Sequence, residues 1–448
     1  MPKKKTALTI EERLQQALVP AEEQPYEVPE NWVWVRLESV ASWGSGGTPS
    51  RKHEEYYNGD ILWIKTGELN NGWIYDTEEK ITDEGLKKSS AKLFPPYSVL
   101  IAMYGATIGK VAILGVPATT NQACACAVCN QSLLYMYLFY YCISQKNVFI
   151  EKGKGGAQPN ISQIILKQHP IPLPPLSEQQ RIVERIEELF TKLDEAKERL
   201  QEVAESFAVR KAAILHKAFT GELIGKQVTE LVPLENLVDL IKIGPFGSSL
   251  HESDYIENGI PLVNPKHIVQ QRIVPQSKIS ISDEKAEELS SYKLKENDIV
   301  LGRRGEMGRC APVSAREENW ICGTGSMIIR LKEEYDARLY SLILGSQATV
   351  TYLENSAVGS TLKNLNEKIV RKIPVPQFSS EEQHEIVRLI DDLLARERSA
   401  QQATEQALAS IDLMKKSILA RAFRGELGTN KASEASALEL LRQVLAEG

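Results

Sequence analysis

The sequence predicts an α+β protein in which two similar β-rich domains, in a pseudo-two-fold arrangement, are separated by two long helices packed as a coiled coil. Three observations lead to this prediction. The chain repeats itself at a spacing of about 204 residues (Ile182 to Ile386), a stretch with a helical apolar period follows each domain, and short β-branched runs broken by Gly, Asn and Pro fill the domains. At 448 residues the chain is long enough for two or three cores.

The repeat is clearest in the segments that follow each domain. IPLPPLSEQQRIVERIEELF, from Ile171, returns as IPVPQFSSEEQHEIVRLIDDLL, from Ile373, and KAFTGEL at 217–223 returns as RAFRGEL at 421–427. Within the domains, SVLIAMYGATIGK from Ser98 corresponds more faintly to DIVLGRRGEMGR. A mixed domain followed by a long helix is therefore used twice.

These matches define the predicted organisation of the chain. The leader and the tail lie outside the clear repeat, and they either complete the helix bundle, dock partner subunits, or form poorly ordered ends. The predicted segments are a helical leader (1–30), domain 1 (31–176), spacer helix 1 (177–223), domain 2 (224–378), spacer helix 2 (379–427) and a tail helix (428–448).

Each spacer helix is predicted from apolar residues that follow one another in alternating steps of four and three, the period of a coiled-coil seam. Ser177 offers a polar start for the first helix, and Gly221 suits a left-handed cap at its end. The alternative is two separate amphipathic helices, each on its own domain. The predicted seam residues are Ile182, Ile186, Leu189, Leu193, Leu200, Val203, Phe207, Ile386, Ile390, Leu393, Ile411 and Ile418.

One stretch, LFPPYSVLIAMYGATIGKV, contains two near-signatures of enzymes. Phe94-Pro95-Pro96-Tyr97 is one residue away from the Asn/Asp-Pro-Pro-Tyr signature of amino-methyltransferases, but Phe94 has no oxygen to accept from a target amino group. GATIGKV is one residue short of a phosphate-binding loop, and Val111 replaces the required Ser or Thr. The second copy keeps neither signature, so a turn, a strand and a glycine loop are predicted.

The cysteines and histidines give no catalytic or metal motif. Cys124, Cys126 and Cys129 lie in an alternating run without a second Cys pair or a His set at zinc spacing. They are predicted to be small strand residues, with a metal or redox role as the alternative. The six His residues form no HExxH pattern.

The bulk composition predicts a soluble cytoplasmic protein. Apolar residues make up 42% of the chain, and no apolar run reaches the length of a membrane span. The N-terminus has no secretory signal. The net charge of −6 decides little, because nucleic-acid binding depends on where Lys and Arg lie.

Two similar modules match the two-fold symmetry of duplex DNA, and modules a fixed distance apart can read two half-sites across an unread gap. The loops of both domains are basic and rich in glycine. Arg can pair with guanine, Asn and Gln with adenine, and Lys can hold phosphate, although each residue could equally be a solvated loop charge. The predicted DNA-contacting residues are Arg51, Lys52, Lys65, Tyr104, Lys110, Lys154, Gln158 and Asn160 in domain 1, and Lys266, His267, Arg303, Arg304, Arg309, Lys363 and Asn364 in domain 2.

The motifs PENWVWVRLESVA, VLIAMYGATIGKVAI, GGAQPNIS, IPLPPLSEQQRIV and KAFTGEL, in this order and largely repeated, resemble the specificity subunit of type I restriction-modification enzymes. The resemblance covers nearly the whole chain. It implies two target-recognition domains, each reading one half of a split DNA sequence, with helices that act as a ruler for the gap between the halves.

The resemblance also implies which activities belong to partners. Adenine methylation and DNA cleavage would reside in two modification and two restriction subunits bound with double-stranded DNA. S-adenosylmethionine, ATP and magnesium would be bound there, and this non-catalytic chain would hold no cofactor or metal. Two alternatives are a protein-interaction scaffold without DNA specificity and an enzyme in its own right, for which the sequence offers no cofactor pocket.

Overall fold

The computed structural model describes residues 9–153, 160–246, 249–356 and 364–447. The chain forms two compact units. Unit 1 comprises the residues up to Arg199 together with those from Leu408 onward, and unit 2 comprises Leu200–Ala407. Each unit combines one β-rich domain with parts of two long helices. None of the described helices is long and apolar enough to cross a membrane.

Unit 1 is built on a five-stranded sheet of order β2-β9-β6-β7-β4, with smaller sheets of order β5-β3-β8 and β1-β10. The strands are β1 Val33–Arg36, β2 Ala41–Ser45, β3 Tyr57–Ile64, β4 Trp73–Ile74, β5 Lys80–Ile81, β6 Val99–Ala102, β7 Val111–Leu114, β8 Thr119–Thr120, β9 Cys124–Cys129 and β10 Pro170–Leu173. The helices are α1 Ile10–Ala17, α2 Leu37–Val40, α3 Asp83–Lys87, α4 Tyr135–Ser144, α5 Lys146–Lys152, α6 Gln163–Lys167 and the long α7 Leu176–Phe219.

Unit 2 repeats this plan with a four-stranded sheet of order β12-β20-β17-β18 and smaller sheets of order β16-β13-β19, β14-β15 and β11-β21. The strands are β11 Val232–Pro233, β12 Val238–Ile243, β13 Ile260–Val263, β14 Ile268–Val269, β15 Arg272–Ile273, β16 Ser280–Ile281, β17 Asp298–Gly302, β18 Cys310–Pro312, β19 Ile321–Cys322, β20 Ser326–Leu331 and β21 Pro374–Val375. The helices are α8 Asp283–Glu288, α9 Ala337–Leu344, α10 Gln347–Ser356, α11 Glu367–Arg371 and the long α12 Ser380–Ala422, and α13 Ala437–Glu447 follows in unit 1. The predicted α+β class, with two similar domains and two long helices, is confirmed.

The central strands are apolar without alternation because both faces of the sheet are buried. In β6, Val99 and Ile101 belong to the main core of unit 1, whereas Leu100 and Ala102 belong to a second cluster on the other face. Strand β17 divides in the same way, with Ile299 in one core and its neighbour Val300 in another. The absence of a period of two in these runs therefore reflects burial on both sides.

The long helices pack against each other in antiparallel fashion within each unit. In unit 1, Lys415 Nζ lies 2.5 Å from Asp194 Oδ1 and Lys197 Nζ lies 4.0 Å from Asp412 Oδ1, so numbers rise along α7 as they fall along α12. In unit 2, Arg210 Nε lies 2.9 Å from Glu397 Oε2. Helix α7 has 44 residues, which is about 66 Å at 1.5 Å per residue.

The residues of the predicted seam differ in how deeply they are buried. Ile182, Ile186, Phe207, Ile386, Ile390 and Ile411 are buried, and Leu189, Leu193, Leu200, Leu393 and Ile418 are half-buried. Val203 was predicted wrongly, since its side chain is 41% exposed.

The start of each long helix is fixed to its own domain by a buried glutamine. Gln179 donates to the carbonyls of Ser132 (2.9 Å) and Pro174 (3.0 Å), and it accepts from the Leu134 amide (2.9 Å). At the equivalent position of unit 2, Gln383 donates to Glu334 and Phe378 and accepts from the Asp336 amide. All three bonds go to main-chain groups, so the register of each helix on its domain is fixed.

The two ends of the chain complete unit 1. Helix α1 packs on α13, where Leu14 and Leu441 share the main core and Arg13 donates to the Leu445 carbonyl. The leader and the tail therefore pack together within unit 1.

Both ends also reach the first turn of α7. The Glu178 carboxylate is buried and accepts from the Trp32 indole (2.8 Å) and the Asn430 amide (2.9 Å). Burial raises the pKa of Glu178, and these hydrogen bonds oppose the rise. In unit 2 the equivalent residues are Glu382 and Lys226, which form an ion pair of 2.7 Å near the surface.

We expect the substitution Glu178→Ala to lower the free energy of unfolding by about 2–3 kcal/mol, because it leaves the buried Trp32 indole without an acceptor and removes one of the two acceptors of the Asn430 amide. Glu382→Ala removes an ion pair and a helix cap nearer the surface and should lower the free energy of unfolding by about 1 kcal/mol. Chemical denaturation of both variants measures the difference. Equal losses would contradict the role of Glu178 as the buried joint between the chain ends.

Candidate nucleic-acid interface

A glycine loop joins two central strands in each domain. In domain 1 the loop connects β6 to β7, with Gly105 and Gly109 in the left-handed region (φ of 60° and 74°). In domain 2 it connects β17 to β18, with Gly305 and Gly308 in that region (φ of 84° and 76°). A Cβ atom is strained at such angles, so glycine allows the tight reversal.

A second segment is bridged to each glycine loop at equivalent positions. Tyr104 forms an antiparallel bridge with Asn160, and Arg304 forms one with Asn364. The side chains of Tyr104, Arg304 and Asn160 are exposed, and that of Asn364 is half-buried. Predicted residues from two distant parts of each domain are therefore brought together on one surface.

The adjacent arginines of domain 2 differ in their surroundings. Arg304 is exposed, whereas Arg303 is buried and donates through Nε to the Leu365 carbonyl (3.1 Å). Burial lowers the pKa of Arg303, and the neighbouring charge of Arg304 lowers it further. The equivalent residue of domain 1 is Met103, a core residue whose carbonyl accepts from Ile161 just as that of Arg303 accepts from Leu365. The structure thus contradicts Arg303 as a DNA contact.

His267 is a second correction. Its ring is buried beneath strand β13, and Nδ1 lies 2.8 Å from the Leu262 carbonyl. Burial lowers the pKa of the imidazole, so the ring stays neutral near pH 7. The neighbouring Lys266 is exposed. His267 stabilises the turn after the strand and is not available to a ligand.

Arg51 lies on the surface of domain 1 in a fixed orientation. Its guanidinium lies over the Tyr57 ring (4.4 Å to the centroid) and near the Trp63 ring (5.1 Å), and Nη1 is 2.7 Å from Glu79 Oε2. Lys65 Nζ is 3.0 Å from the other oxygen of Glu79. The Glu79 hydrogen bond raises the pKa of both cations.

The rings beneath Arg51 are themselves held in place. The Tyr57 hydroxyl donates to the Pro49 carbonyl (2.5 Å), and the Trp63 indole donates to the Gly47 carbonyl (2.8 Å). Sequence reasoning did not select Tyr57, Trp63 or Glu79. The aromatic residues of the YNGDILWIK strand close to a basic loop were the available signal, because arginine stacks on aromatic rings.

The remaining predicted residues have varied positions. Lys52 is exposed, Lys110 is half-buried, and Arg309 is paired with Glu306 beside the glycine loop. Lys154, Gln158 and Lys363 lie outside the described residues.

The near-signatures of enzymes have structural explanations. Phe94 is buried and bridged to Ala118, and the prolines that follow lead into β6. A strand, β7, follows the glycine loop where a phosphate-binding loop would need a helix.

Burial raises the pKa of the Cys124 and Cys129 thiols to about 12. No group of three or more His, Cys, Asp or Glu in the described part of the chain could hold a metal ion.

Comparison with known proteins identifies the family. The family model of the type I restriction modification DNA specificity domain matches the chain twice, over residues 29–205 and 235–408. These two matches cover most of the chain, so the protein belongs to this family and carries two copies of its domain. The resemblance noted in the sequence is confirmed.

Individual relatives are similar over long stretches. The chain is 25% identical to the EcoBI specificity subunit of Escherichia coli over 94% of this chain and 93% of that one. It is 29% identical to the MjaIX specificity subunit of Methanocaldococcus jannaschii over 62% and 68%. The fold is similar to the HsdS subunit from Thermoanaerobacter tengcongensis, with a TM-score of 0.62 and 19% identity over 90% of this chain and 100% of that one.

We expect the same substitution to affect DNA binding at only one of the two adjacent arginines. Arg303→Met places the residue of domain 1 at the equivalent buried position and should change the free energy of unfolding by less than about 1.5 kcal/mol, without effect on DNA binding. Arg304→Met should leave stability unchanged and lower the slope of log K against log salt by about 1. Binding of a mixed-sequence duplex at several salt concentrations measures the slopes. A loss of slope in Arg303→Met would contradict the assignment.

Proposed function

We propose that the chain is the non-catalytic DNA-recognition subunit of a type I restriction-modification complex. Each domain reads one half of a bipartite target in double-stranded DNA. The observation that carries the proposal is the pair of glycine loops, each bridged to a second loop and each bearing an exposed residue, Tyr104 or Arg304, at the same place. The family domain present in two copies supports it.

The long helices have a separate role in this proposal. They set the distance between the two half-sites and dock the modification subunits. A helix of 44 residues spans about 66 Å, and its antiparallel packing within each unit suits a rigid spacer.

The chemical steps belong to partners. Two modification subunits would methylate adenine with S-adenosylmethionine, and two restriction subunits would use ATP and magnesium. The target adenine must leave the base stack to be methylated, so the bound chain has to tolerate distorted DNA. This assembly is expected in the cytoplasm, where the chromosome is accessible.

The test is the methylation pattern of genomic DNA from cells that carry the chain with its modification subunit. We expect a bipartite motif with a fixed gap.

Deleting residues 198–204 together with residues 403–409 removes one heptad from each long helix and preserves the seam period. The deletion should shorten the gap by about three base pairs, since seven residues span about 10.5 Å and base pairs are spaced at about 3.4 Å. Both half-sites should be retained; an altered half-site would contradict the ruler role, and an absent motif would favour the scaffold alternative.

Arg51 gives a second test. The guanidinium of Arg51 is fixed in orientation and can pair with guanine through two hydrogen bonds. Because Glu79 offsets the positive charge of Arg51, this side chain suits base recognition better than phosphate binding. Arg51→Lys keeps the charge but removes the two-pronged geometry, and it should relax one guanine position by about 1–3 kcal/mol in one half-site only.

Methylation profiling of Arg51→Lys measures this change against the control Lys52→Gln at the exposed neighbour. The control should weaken binding without changing the motif. An unchanged motif in Arg51→Lys, together with a lower Tm, would show that Arg51 only stabilises its domain.

A further inference from the structure

Domain 1 carries an exposed group of aromatic rings that the proposed DNA interface does not use. We call the group the aromatic patch; it consists of Trp73, Tyr75, Tyr97 and Tyr135. The ring centroids lie 6.1 Å apart between Trp73 and Tyr97, 5.9 Å between Trp73 and Tyr135, and 5.0 Å between Tyr97 and Tyr135. Tyr75 is 63% exposed and Tyr97 is 56% exposed. Exposed clusters of this kind are typical of protein-binding surfaces.

The aromatic patch lies at the far end of the sheet from the glycine loop. Tyr97 comes just before β6, whereas Tyr104 comes just after it, so the strand separates them. At this end, Trp73 pairs with Ile113 near the end of β7, and Tyr75 lies against Gly115 just beyond it. The patch is therefore not part of the candidate DNA surface.

The backbone at Tyr97 indicates that the ring is not there for folding. Tyr97 has a φ of 67°, a left-handed angle that bulky residues rarely adopt, and its equivalent in domain 2, Asn297, has the same angle. The Asn297 side chain stabilises the turn, since it accepts from the Ala337 amide (3.0 Å) and donates to the Tyr335 carbonyl (3.0 Å). Asparagine suits this conformation and tyrosine does not. A strained residue kept at an exposed position points to a function.

The charge of the patch selects the kind of ligand. Glu187 lies on α7 one turn before Phe190, whose ring centroid is 5.9 Å from that of Tyr140. Burial raises the pKa of Tyr140, and the Glu187 carboxylate raises it further. Burial raises the pKa of Tyr135, and Tyr97 and the Glu187 carboxylate raise it further. Ring faces and a carboxylate both attract cations and repel the phosphates of DNA.

We propose that the aromatic patch with Glu187 docks an arginine-bearing segment of the modification subunit. This inference rests on the proposed function, because it takes the modification subunit to be the partner of the chain. Arginine fits both components, since its guanidinium stacks on aromatic rings and pairs with carboxylates. It is also one of the residues enriched where protein interfaces are strongest.

The site belongs to domain 1 alone. In domain 2 the equivalent strand, β15, presents Arg272 and Val274, and Asn297 and Ala337 occupy the other two positions. A cation at the place of Trp73 would repel the same ligand. The two domains therefore cannot hold a modification subunit through identical contacts.

The test measures binding of the purified modification subunit to the full-length chain by calorimetry, with the number of bound copies from native mass spectrometry. Tyr97→Asn installs the residue of domain 2 and should not lower the Tm. Tyr97→Asn and Glu187→Lys should each weaken one binding event at least about tenfold. Val274→Ala, at the exposed equivalent of Tyr75 in domain 2, is the control and should change nothing.

Four outcomes are decisive. Weakened binding in both patch variants, with DNA binding of the chain unchanged, supports the inference. Unchanged binding in both variants overturns it while leaving the proposed function intact, and a loss of DNA binding by Tyr97→Asn would instead assign the patch to the DNA surface. If the unmodified chain binds no modification subunit, the proposed function itself fails.

Discussion

The structure depends on a buried carboxamide at the first turn of each long helix. Gln179 and Gln383 make every hydrogen bond with main-chain groups of the adjoining domain. A buried amide without partners is costly, so any other placement of the helix on the domain would be disfavoured. The bonds fix the direction in which the helix leaves the domain. A long helix can act as a spacer only if its start is fixed in this way.

The glycine loops are supported by main-chain contacts, which leaves their side chains free to differ. The bridges of Tyr104 to Asn160 and of Arg304 to Asn364 are made by backbone groups. An aromatic residue in one domain and a cation in the other therefore occupy the same supported position. Because the support does not depend on the side chain, a substitution at this exposed position need not disturb the fold.

Much of the fold could be predicted from the sequence, because duplication and helical period are local signals. The left-handed Gly221 after α7 agrees with its predicted cap (φ of 80°). The details of the site were less accessible. Arg303 and Arg304 are identical neighbours, yet Arg303 falls on the same face as Ile299 and Leu301, which belong to the main core of unit 2, and only Arg303 is buried. Aligning Arg303 with the apolar Met103 of the repeat would have revealed this.

Contacts between distant parts of the sequence limited the prediction further. The partner of Arg51 is Glu79, on another segment, and the carbonyl that accepts from Arg303 belongs to Leu365, 62 residues further along the chain. Composition marks such residues as basic or titratable but does not say what surrounds them. The duplicated turn at Tyr97 and Asn297 shows what comparison of the copies adds: the backbone angle is the same, so folding alone would favour asparagine in both. At this exposed turn, the difference between the two side chains therefore reflects the surface and not the fold.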